Sequence, residues 1–127
     1  MVENVIGELT QSYVSSLAEK LSEIETLCSE LERSSSDDPD KRADRWMSLC
    51  AKAHKLVGSA GTYGFAEISE HARALEDQIL SKHFESIAPH LAREQLEAWF
   101  KTLKMYIQEA QKAHGALLAL PSEVSKK

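Results

Sequence analysis

Residues 53–65 read Ala53-His54-Lys55-Leu56-Val57-Gly58-Ser59-Ala60-Gly61-Thr62-Tyr63-Gly64-Phe65. Extended backwards to Trp46 and Leu49, the apolar positions Ala53, Leu56, Val57 and Ala60 recur at gaps of three and four, the spacing of one helix face. Gly61-Thr62-Tyr63-Gly64 ends that helix, since glycine suits a left-handed C-terminal turn. His54 lies about 100° from the centre of the stripe, on the border of the core face. Within about a turn of it, on its own side, stand Ala51, Gly58 and Gly61. A mid-helix glycine costs roughly 1 kcal/mol against alanine, so two beside one histidine need a reason. The simplest is that something large must reach the imidazole from outside.

The same periodicity runs through the rest of the chain. Leu9, Tyr13, Leu17, Leu21, Ile24, Leu27 or Cys28, and Leu31 make one stripe on a long first helix ending near Arg33. The residues before Leu9 are either a short extra helix or the first turns of the same one, and Gly7 leaves both open. Ser34-Ser35-Ser36-Asp37-Asp38-Pro39 reads as a loop, and the second helix starts near Asp40. A third helix buries Phe65, Ile68, Ala72, Leu75 and Ile79, and Lys82 to Pro89 is a short connection. A fourth, from about His90 to His114, buries Leu91, Leu96, Trp99, Phe100, Leu103, Ile107 and Ala110. No useful length alternates with period two. The expected fold is therefore all-α, an antiparallel four-helix bundle over residues 1–120, with 121–127 an unpatterned, disordered tail.

Composition narrows the function. A chain of 127 residues holds one core and not two. A net charge of −5 argues against nucleic acid, because no basic excess exists to neutralise phosphates. No apolar run approaches the ~18 residues that cross a bilayer, and Met1-Val2-Glu3-Asn4 lacks the features of a signal peptide, so a cytoplasmic chain with no membrane partner is expected. The initial methionine and ragged end read as a complete chain. Cys28 and Cys50 fall inside helical patterns and are expected as reduced thiols. His71, His83, His90 and His114 are scattered, with no two at i, i+4, so no metal site is expected. Four stripes that satisfy one another make a monomer the default.

A solvated histidine is a competent nucleophile near neutral pH. Imidazoles ordinarily titrate near ~6.5, so a neutral fraction exists, and one ring nitrogen can attack phosphorus while the other is held by a partner. A surface histidine without a role is the ordinary reading of such a residue, and the clearing around His54 is what argues against it. Lys55 is adjacent and offsets incoming negative charge. Met47 and Cys50 lie on the His54 side, one to two turns earlier, where with Ala51 they would form a docking ring or cap the bundle edge.

The run from His54 to Phe65 resembles the signature of histidine-containing phosphotransfer (HPt) domains, the intermediate carriers of bacterial and eukaryotic phosphorelays. The resemblance implies that His54 is phosphorylated on Nε2 and that Gly58 leaves room for the partner. Glu76 falls where relatives carry a polar group that holds Nδ1, and Lys55 where they are commonly basic or polar. It implies a carrier without kinase activity of its own, in keeping with the absence of GxxxxGK[ST] and GxGxxG. The implied partners are receiver domains of hybrid sensor kinases and response regulators, which supply Mg²⁺, and a bacterial setting. One departure stands out: many relatives have a lysine three residues after the histidine, and here it is Val57. Lys55, or the partner's Mg²⁺ and lysine, would then stabilise the phosphoryl group. The rival reading is a helical adaptor or scaffold that binds partners with no covalent step. A metal-dependent hydrolase is disfavoured by the missing ligand spacing.

Overall fold

The computed structural model describes the backbone of residues 2–33 and 38–126, and the side chains of residues 7–33 and 38–114. It contains α1 (Val2–Arg33), α2 (Pro39–Thr62), α3 (Ala66–Leu80) and α4 (Pro89–Lys126), with a short 3₁₀ turn at His83–Glu85. No strand occurs among the described residues. Of the expected loop at 34–39, residues 34–37 lie outside the described residues and Pro39 already opens α2; the side chains of the expected tail at 121–127 lie outside them as well. The helical backbone of α4 runs past the expected end at His114. Gly115 alone does not stop it, because Ala116-Leu117-Leu118-Ala119-Leu120 are helix formers. At the other terminus α1 is one continuous helix through Gly7.

Each helix packs on its neighbours in chain order, and α1 closes the ring against α4. Cross-contacts give the directions. Tyr13 bonds Ser59 and Glu23 pairs with Lys52, so α1 and α2 run opposite ways. Glu76 meets His54 and Ser69 meets Val57, so α3 reverses again. His71 meets Trp99 and Phe65 meets His114, so α4 does the same. The result is the antiparallel four-helix bundle that the stripes predict.

The core follows those stripes closely. Leu17, Ile24, Leu49, Ile68, Leu75, Leu103 and Ile107 are its largest fully buried side chains. Two expected core positions are instead exposed. Leu9 is 52% accessible because α2 ends at Thr62, opposite Tyr13, and α1 one turn earlier has passed its end. Leu91 is 41% accessible because α4 turns Ala92, Leu96 and Trp99 inward, leaving its neighbour about 100° off the core. The Lys82–Pro89 connection contributes a core residue that helical periodicity could not find. Phe84 is buried and stacked on Trp46 at 4.6 Å, after Lys82 takes the left-handed conformation at φ 61°.

Helix ends fix the α2–α3 hairpin that carries His54. Asp38 caps α2, its carboxylate accepting from the Asp40 N–H at 3.1 Å, and Pro39 occupies the first turn. At the other end the Phe65 N–H donates to the Ala60 carbonyl and the Gly64 N–H to the Gly61 carbonyl. That pair of bonds is the Schellman arrangement, and it requires the φ of +85° found at Gly64.

Candidate functional site

His54 sits about two-thirds of the way along α2, where α3 comes alongside. Its side chain is 73% exposed, and Nδ1 lies 2.5 Å from Oε2 of Glu76, which is 16% exposed. A carboxylate only accepts, so Nδ1 carries the hydrogen. In the neutral ring Nε2 then holds the lone pair, and it has no partner among the described residues. The arrangement is a fixed tautomer with its basic nitrogen turned to solvent.

The glycines beside it differ in what they do. A Cβ built on Gly58 meets nothing within 4 Å, and that residue is exposed. No packing inside the bundle demands glycine there, so the clearance it leaves faces outward. A Cβ on Gly61 would meet the Ser69 hydroxyl at 3.4 Å, so this glycine also serves the approach of α3. Ser69 uses that closeness to donate to the Val57 carbonyl at 2.8 Å. These contacts set the register that brings Glu76 opposite His54. No sequence spacing announces Ser69; only the packed hairpin does.

The remaining candidates divide by exposure. Ala51 is exposed and Met47 is 53% accessible, both on the His54 side of α2. Cys50 does not join them, although the docking ring was expected to include it. It is 4% accessible, and its thiol is pushed up from its ordinary value by burial, then by the nearby Glu76 carboxylate. The thiol is therefore buried and takes no part in the surface. Lys55 is exposed and turned about 100° from His54, while Lys52 is engaged with Glu23 of α1 at 3.1 Å. Val57 is half-buried against the core, an apolar position on the helix border.

Below Met47 the surface opens into a shallow groove of about 370 Å³, walled by Trp46, Ile79, Leu80 and Phe84. Leu80, at its rim, is 58% exposed and lies one turn after Glu76 on α3. Met47 stands seven residues before His54, within about 20° of it around α2. The groove and the imidazole thus open on one face. Among the described residues, no three His, Cys, Asp or Glu side chains come together as a metal site, and no helix is long and apolar enough to cross a membrane.

The other buried polar contacts hold the bundle together away from this face. His71 Nε2 donates to the Trp99 carbonyl and the Trp99 indole N–H donates to the His71 carbonyl, both at 2.8 Å, with the rings stacked. Tyr13 bonds Ser59 at 2.8 Å and stacks on Tyr63 at 4.4 Å, fastening α1 over the end of α2. Compared with known proteins, residues 8–113 match the family model of the Hpt domain. No curated protein and no solved structure matches the chain.

Proposed function

The chain belongs to the Hpt domain family, whose members are phosphocarrier modules of phosphorelays, and on that premise we propose that His54 is its phosphoryl acceptor. One observation supports the assignment above the others: Glu76 holds Nδ1 while Nε2 stays exposed over the opening at Gly58.

The chemistry follows from that geometry. The Nε2 lone pair attacks the phosphorus of an aspartyl phosphate on a receiver domain. The Nε2–P bond forms, the P–O bond to the aspartyl carboxyl breaks, and the carboxylate leaves with its electron pair. No proton moves, because Nδ1 already carries its hydrogen. The ring acquires positive charge, which the Glu76 carboxylate at 2.5 Å balances. A second receiver aspartate attacks the phosphohistidine by the reverse steps. Such a transfer depends on positioning and charge neutralisation, so a carrier needs few groups of its own. Mg²⁺ is in this reading bound by the receiver's acidic residues.

The docking face we assign runs along α2 through Met47, Ala51, His54 and Gly58, with the groove between Met47 and Leu80 beside it. The small or apolar Met47, Ala51 and Gly58 let a partner come close, while Lys82 and Glu85 at the groove offer it charged contacts. A monomeric carrier that engages hybrid-kinase and response-regulator receivers in turn would use this one face for both.

The experiment is direct. Incubated with a phosphorylated receiver and Mg²⁺, the protein is expected to gain acid-labile, base-stable phosphate, and His54→Gln to gain none. Failure of labelling with several receivers, or labelling that persists in His54→Gln, would overturn the assignment.

A further inference from the structure

A phosphoryl group on Nε2 brings up to two negative charges to a face that already carries the Glu76 carboxylate, on a chain of net charge −5. Glu76 is already beside the ring, so a nearby cation is needed to hold the group. On α2 the choices are poor, because Lys52 is tied to Glu23 and Lys55 is turned away around the helix. Val57 offers only an apolar surface.

The register of α3 supplies a better one. Ser69 reaches the Val57 carbonyl and lies against Gly61, while Glu76 reaches His54. Arg73 comes four residues after the first and three before the second, so it shares their side of α3 and falls between them along the hairpin. It is exposed, and among the described residues it has no ion-pair or hydrogen-bond partner. The antiparallel alignment, with Ser69 opposite Gly61 and Glu76 opposite His54, therefore sets Arg73 level with Val57, beside Gly58 and about one turn of helix from His54. The unengaged guanidinium is thus carried on a long, exposed side chain within about one helical turn of His54 and Gly58 along the hairpin.

Resting on the reading of His54 as phosphoryl acceptor, we propose that Arg73 is the residue of this chain that binds the phosphoryl group once it is on Nε2. The planar guanidinium can donate two parallel hydrogen bonds to phosphoryl oxygens, which an ammonium cannot. No bond is made or broken by Arg73. It favours the dianionic form of the phosphoryl group over the monoanionic form, and so it lowers the pH at which that group loses its last proton.

The test uses the full chain and potassium phosphoramidate, which labels histidine without a receiver. The phosphorus resonance present in the native protein and missing from His54→Gln reports the phosphoryl group on His54, and its pH titration reports the charge beside it. Arg73→Gln is expected to weaken the acidity of that group about three- to tenfold, the effect of losing one charge-assisted pair at an exposed site. Arg73→Lys should recover only part of the native acidity. An unchanged titration in Arg73→Gln would overturn the role of Arg73 and leave His54 as acceptor. No resonance that depends on His54 would overturn both. Glutamine is a good helix former at this exposed position, so the variant retains the bundle, and its far-ultraviolet dichroism checks that it does.

Discussion

Gly58 separates the needs of the fold from the needs of the site. Within a helix a glycine is worse than alanine by about 1 kcal/mol, and here the missing methyl group would strike nothing. Gly58→Ala is therefore expected to stabilise the protein by about 0.5–1 kcal/mol in urea denaturation. The same methyl stands in the opening beside His54, so transfer from a phosphorylated receiver should slow. A variant that is more stable and transfers at the native rate would show that nothing approaches over Gly58. At this scale much was legible in advance. His54, Ala51, Gly58 and Gly61 lie close in sequence, and local helical geometry alone relates them. Cys50 was not legible. It is only about 40° from His54 around α2, yet their exposures are 4% and 73%. A helical wheel gives a direction and cannot say where the next helix covers it.

At the scale of elements, the α2–α3 hairpin decides whether Glu76 meets His54. Its turn is closed by the Phe65 and Gly64 N–H groups on the Ala60 and Gly61 carbonyls, with Gly64 at φ +85°. A side chain there pays the left-handed penalty of about 1–2 kcal/mol. Gly64→Ala is accordingly expected to destabilise the bundle by that amount in chemical denaturation, although a Cβ at the site would meet no atom within 4 Å. An unchanged midpoint would mean that the turn relaxes at no cost. The contrast with Gly58 is informative because both sites have room, and only backbone conformation separates them. The turn itself was readable from Gly61-Thr62-Tyr63-Gly64. The register it imposes was not, since Ser69 bonding the Val57 carbonyl is a contact between helices with no trace in either helix alone. Phe84 escaped for a related reason, being a single apolar residue in a connection too short to show a period.

At the scale of the whole molecule, burial couples the bundle's stability to pH through a group far from the site. The Cys28 thiol is pushed up to about 12, first by burial and then by the Glu32 and Glu25 carboxylates, against 9.0 for a free thiol. The unfolded chain therefore releases this proton at lower pH than the folded one. The stability it represents is whole below about pH 9 and is lost as pH rises from there through about 12. At pH ~10.5 the loss from this one group is about 2 kcal/mol. Tyr13 is raised too, by burial first, and adds to the loss in the same direction at somewhat higher pH. Urea midpoints taken at pH ~8 and ~10.5 should fall less in Cys28→Ala than in the native protein, even though the variant starts lower for want of a buried group. Equal losses in the two proteins would mean that Cys28 ionises freely in the folded bundle. Because the thiolate is the reactive form, the same burial predicts slow alkylation of Cys28 at pH ~8, at a rate set by opening of the α1–α4 contact. His54 is the opposite case on the same scaffold. Four stripes bury one another so completely that the core holds its thiols protonated, while α2 keeps a single nucleophilic nitrogen in water at the edge of that core.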